Sequence, residues 1–147
     1  MLPQISSSLE DYMEAIAEIT ARNGHAHTKD IADRLSVKMP SVTGALRLLA
    51  KRGLIVYQRN QPVELTPAGR AVAERVLRRH AILNRFFSEI FNLDPAKADE
   101  TACRIEHVVD EEVIERFVLF SEAIAGRADC APLRAYLAAH LPAAGEG

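Results

Sequence analysis

Cys103, Glu106 and His107 stand at i, i+3 and i+4 in the stretch Cys-Arg-Ile-Glu-His. On a helix that spacing puts all three on one face. A thiolate, a carboxylate and an imidazole aimed the same way form a mixed S/O/N donor set for a borderline-soft divalent metal. One helix supplies only part of such a shell, so other elements must bring the rest. His80, on an otherwise apolar helical stripe, and the pair Asp11 and Glu14, three apart near the N-terminus, are of the right chemical type. Taken singly, each has a plainer reading: His80 as a hydrogen-bonded core residue, Asp11 and Glu14 as acids favoured by the positive end of a helix dipole.

Length and charge narrow the setting. At 147 residues and 48% hydrophobic content, the chain can bury a core as one domain or two small ones. No apolar run reaches the ~18 residues of a membrane span, and nothing at the N-terminus has the pattern of a signal peptide. Two cysteines, Cys103 and Cys130, are too few for a disulfide scaffold, so the expected setting is a reducing cytoplasm. The formal charge of -2 conceals an asymmetry: residues 21–85 hold 13 Lys/Arg against four acids, whereas residues 86–147 hold five against 12. A basic segment followed by an acidic one is consistent with a polyanion partner for the first.

The elements follow from periodicity and caps. Ser7 with Glu10 three residues on fits a capping box for a helix over 8–22, ended by Asn23-Gly24. Thr28 caps a short helix, Lys29 to Leu35. After Ser36-Val37-Lys38, Pro40 opens a second helix that runs to about Arg52. Two short helices joined by a tight turn form a helix-turn-helix. Two strands, 54–57 and 63–65, follow around a turn at Arg59-Asn60-Gln61 and complete a winged helix. Thr28, Lys38, Pro40, Ser41, Thr43, Arg47, Lys51 and Arg59 are the candidate DNA-contacting residues. Among them the small hydroxyls suit base edges and the cations suit phosphates. Thr66-Pro67 opens a long helix, 67–91. Asp94-Pro95 opens another, 95–107, which carries the first motif. Helices over 111–125 and 131–140 close the chain, and residues 143–147 are expected to fray. The expected architecture is mainly α: a winged helix-turn-helix domain over 1–72 and an all-helical metal-binding and dimerisation domain over 73–147.

Four segments carry a resemblance: Ser-x-Glu-Asp-Tyr-x-Glu at 8–14, Leu-Thr-Pro-x-Gly at 65–69, Arg-His at 79–80 and Ala-Cys-Arg-x-Glu-His at 102–107. Across residues 7–125 the chain resembles the metal-dependent repressors of the diphtheria toxin repressor family, above all their manganese transport regulator branch. The resemblance implies a homodimer paired through its carboxy-terminal helices, reading a palindromic operator and controlling metal-uptake genes. It also implies a ligand set of Asp11, Glu14, His80, Cys103, Glu106 and His107. Asp11 and Glu14 follow the manganese branch, but Cys103 follows the iron branch, and Asn84 and Asp99 replace ancillary-site ligands of that branch. The implied effector is Fe²⁺ or Mn²⁺, with Zn²⁺ or Co²⁺ able to bind in vitro. Two other classes remain open on the residues alone: a redox-switched regulator using Cys103 and Cys130, and a small metallohydrolase. The latter lacks a His-Glu-x-x-His signature, and no enzymatic role is expected.

Overall fold

The computed structural model describes residues 2–143. The chain divides into two compact units, up to Leu77 and from Arg78 onward. The expected fraying of 143–147 falls, apart from Ala143, outside the described residues.

The first unit begins with helix α1, Ser7–Asn23. Its N-cap is Ser6, whose Oγ accepts from Leu9 N at 3.3 Å, so the cap lies one residue earlier than the capping-box pattern indicated. The buried Glu10 carboxylate accepts from Arg75 Nη2 at 3.0 Å. Gly24, at φ +83°, ends α1 in the left-handed conformation that glycine adopts without penalty.

Helix α2, Thr28–Leu35, starts one residue before the expected Lys29, and His27 occupies the N-cap position. The backbone N–H of His27 is bound by the Asp30 carboxylate at 3.2 Å. Ser36, left-handed at φ 55°, turns the chain into helix α3, Met39–Lys51, with Pro40 in its first turn. Strands β1, Ile55–Val56, and β2, Glu64–Leu65, pair antiparallel with Ile55 opposite Leu65, and Ala26 bridges Val63 beside them. The unit's core gathers Met13 and Ile16 of α1, Ile31 of α2, Val42, Leu46 and Leu49 of α3, and Leu54 and Val63 of the wing. Each such side chain contributes about 1.5–3 kcal/mol by leaving water.

Helix α4, Pro67–Arg85, shows why its opening reads Leu-Thr-Pro-x-Gly. Thr66 Oγ1 accepts from Gly69 N at 3.1 Å and donates to Gly53 O at 2.6 Å, capping the helix and pinning it to the wing. A Cβ on Gly69 would lie 1.8 Å from the Leu54 carbonyl oxygen. Only glycine permits that approach.

In the second unit, α4 passes into a π-helical turn, Phe86–Ile90, instead of continuing as α-helix to 91. Phe91 N reaches back to Phe86 O at 3.2 Å, an i→i+5 bond that turns Phe86, Phe87 and Ile90 all inward. Phe86 and Phe117 meet edge to face at 4.7 Å between centroids. Helix α5, Pro95–Ile105, is capped by Asp94, whose carboxylate accepts from Ala96 N at 3.0 Å. Helices α6, Glu111–Gly126, and α7, Ala131–His140, follow. Ala98 and Ala102 of α5 and Ile114 of α6 close the core around the aromatic cluster.

Candidate metal centre and nucleic-acid interface

Two consecutive residues of α4 hold Glu106 from both sides. Arg79 Nη1 donates to the Glu106 carbonyl at 3.2 Å, and His80 Nδ1 lies 2.6 Å from Glu106 Oε2. Those contacts give the Arg-His motif its physical meaning. Arg79 also donates to Glu111 at 3.3 Å, where Arg78 donates at 2.7 Å, so the same helix fastens the start of α6. Burial pushes the Glu111 carboxyl up, but the hydrogen bonds and charges of Arg78 and Arg79 outweigh it and hold the group below its ordinary value.

Glu106 is 1% exposed. Its Oε1 finds no hydrogen-bond partner among the described residues, although His107 Nε2 stands 3.4 Å away. A buried carboxylate oxygen without a donor is costly. Set between two imidazoles, it has the chemistry of a cation ligand, so the donors here fit a divalent metal. Cys103 is exposed one turn earlier on α5, with its Sγ within 4.8 Å of a Glu106 carboxylate oxygen. Helix α5 ends at Ile105. Glu106 keeps helical dihedrals as its C-cap and His107 lies in the turn beyond, so the expected 95–107 helix is two residues shorter at its end. Thus His80, Cys103, Glu106 and His107 gather in the second unit. Asp11 and the buried Glu14 belong to α1 of the first.

One contact escaped the sequence reading. His80 Nε2 lies 2.8 Å from Asp99 Oδ1, so His80 is no solitary core histidine. The available signal was spacing: Asp99, Cys103 and Glu106 stand at i, i+4 and i+7, one stripe of α5.

In the first unit, Lys38, Pro40, Ser41, Arg47, Lys51 and Arg59 are exposed and Thr28 and Thr43 are half-buried. Arg47 and Thr43 of α3 share a cleft with Tyr57 and Arg59 of the wing. Thr43 Oγ1 already donates to Met39 O at 3.1 Å, leaving its lone pairs for a ligand, whereas Ser41 forms no comparable bond with its helix. Asn60, at φ 62°, makes the tight wing turn beside Arg59.

Residues 4–63 match the iron dependent repressor N-terminal DNA binding domain, and residues 66–126 match the iron dependent repressor metal binding and dimerisation domain. The chain belongs to the iron-dependent repressor family. An HTH-type transcriptional regulator of Methanocaldococcus jannaschii is 33% identical over 119 residues, which cover 80% of this chain and 95% of that protein. The HTH-type transcriptional regulator MntR of Listeria monocytogenes is 37% identical over 109 residues, covering 74% of this chain and 76% of its own. Among solved structures, IdeR of T. acidophilum superposes with a TM-score of 0.69 at 30% identity, covering 80% of this chain and 55% of that one. The chain therefore spans about half the length of that solved relative. As a repressor of this family, it has double-stranded DNA and a second copy of itself as partners. No described helix is long and apolar enough to cross a membrane.

Proposed function

We propose that this repressor is a cytoplasmic, non-enzymatic, dimeric regulator that binds a palindromic operator of metal-uptake genes when Fe²⁺ or Mn²⁺ occupies a hybrid shell. The shell consists of Asp11, Glu14, His80, Cys103, Glu106 and His107. The observation that carries the reading is Glu106: a buried carboxylate with an oxygen lacking a hydrogen-bond partner, flanked by His80 and His107. When bound, the metal supplies positive charge that neutralises clustered carboxylates. Asp11 and Glu14 stand on the helix that precedes the reading elements. Arg79 holds the Glu106 backbone in place while the side chain serves as ligand. Ser41 and Thr43 face base edges, and Lys38, Arg47, Lys51 and Arg59 take phosphates. A dimer places its two heads about one helical turn apart, roughly 34 Å.

The test is anisotropy of labelled palindromic duplexes with the full-length protein, under anaerobic conditions, with Mn²⁺, Fe²⁺ or chelator. Tight binding only in the presence of metal is expected. No duplex affinity with any divalent metal would overturn the reading.

A further inference from the structure

His80 lies between two carboxylates of α5 that are chemically unequal. On its Nδ1 side is Glu106, whose side chain is wholly buried; on its Nε2 side is Asp99, whose side chain is 64% exposed. Asp99 stands seven residues before Glu106 on the same stripe, so the helix alone sets the distance at which the imidazole is gripped. A neutral imidazole has one N–H and one lone pair. It can therefore donate to one carboxylate and offer its lone pair toward a cation on the other side. The inner nitrogen faces the buried Glu106 carboxylate at 2.6 Å, and the outer nitrogen faces the exposed Asp99 carboxylate at 2.8 Å.

We propose that Asp99 is the positioning residue of the metal centre. It accepts a hydrogen bond from His80 Nε2–H and thereby fixes the tautomer that presents the Nδ1 lone pair to the cation. The inference rests on the metal-regulator reading. A carboxylate on the far nitrogen of a ligating histidine locks the ring and strengthens it as a donor. Asp99 is itself exposed and packs into no core, so its replacement changes the ring's support without opening a cavity.

The experiment uses full-length protein, Zn²⁺ as a diamagnetic probe, Asp99→Ala and the conservative Asp99→Glu. Zn²⁺ affinity is read by chelator competition, and His80 by ¹⁵N imidazole correlation spectra. In the wild type, Zn²⁺-bound His80 should show a protected Nε2–H and a metal-shifted Nδ1. Asp99→Ala should weaken Zn²⁺ by about tenfold at unchanged stoichiometry and melting temperature, with the Nε2 proton exchanging freely. Asp99→Glu should recover most of the affinity. Wild-type affinity in Asp99→Ala would overturn the proposal. So would a loss of one bound ion per subunit, which would make Asp99 a direct ligand. A separate control, His80→Ala, tests the underlying reading: undiminished Zn²⁺ binding in that variant would mean that His80 is no ligand, whatever Asp99 does.

Discussion

At Glu106 a buried carboxylate oxygen finds no hydrogen-bond partner among the described residues, with His107 Nε2 3.4 Å away. Such a group costs about 1–3 kcal/mol, and more when charged. Glu106→Gln keeps the shape and removes the charge. Mn²⁺ at a hundredfold excess over its Kd should stabilise the wild type by about 2.7 kcal/mol, and that gain should vanish in the variant. Thermal melts with metal and with chelator check this, and a wild-type-sized shift in the variant would remove Glu106 from the shell. Cys103 makes a different prediction. Its soft thiolate favours Fe²⁺ over Mn²⁺, so Cys103→Glu should lower the ratio of Fe²⁺ to Mn²⁺ response while DNA sequence preference stays fixed. Midpoints of metal-dependent duplex binding give that ratio; no change would make Cys103 a bystander and Mn²⁺ the better candidate effector. Cys103, Glu106 and His107 were legible as a candidate site because helical spacing and donor chemistry coincide in one short motif, whereas His80 taken alone reads as a core histidine. Asp99 was not legible as a partner of His80, since the contact joins residues on two helices and an exposed acid on a helix is ordinarily just solvated.

At the scale of elements, the junction of wing and α4 is tightly packed at Gly69 and Thr66. Gly69→Ala drives a methyl into the Leu54 carbonyl and should destabilise that unit by about 1–3 kcal/mol or more. Chemical denaturation followed by circular dichroism measures it. Stability equal to the wild type would mean that α4 shifts freely against the wing. The start of α6 responds to pH. Its Glu111 carboxyl is held below its ordinary value, so its contribution is present above the usual carboxylate range and is lost as pH falls through the depressed value. Glu111→Gln should therefore flatten the acid limb of the stability profile, and an unchanged limb would show that the arginine pair does not act there. Element types were readable from caps and periodicity. Elements whose ends are set by tertiary contact were less so. Ser6, not Ser7, caps α1, and Glu10 accepts from Arg75, a partner 65 residues away. The α4 helix switched to a π turn because three neighbouring apolar residues, Phe86, Phe87 and Ile90, are all drawn inward.

For the molecule as a whole, the proposed function requires that DNA binding be linked to metal. Val113, Leu119 and Phe120 of α6 are large apolar side chains left exposed in a single chain. On the same helix Ile114 is buried and Phe117 packs against the core. Phe120→Asp should shift the protein to monomer in analytical ultracentrifugation and reduce operator affinity even with saturating metal. A dimer of wild-type stability would place the interface elsewhere. The most direct measurement of the central claim is reciprocal coupling. If metal raises operator affinity by some factor, operator DNA must raise metal affinity by the same factor. Titrating Mn²⁺ into the full-length protein with and without saturating operator duplex should show tighter binding with DNA, by a factor of about 5–150, corresponding to about 1–3 kcal/mol of coupling. Equal metal affinity in the two titrations would contradict a metal-controlled repressor.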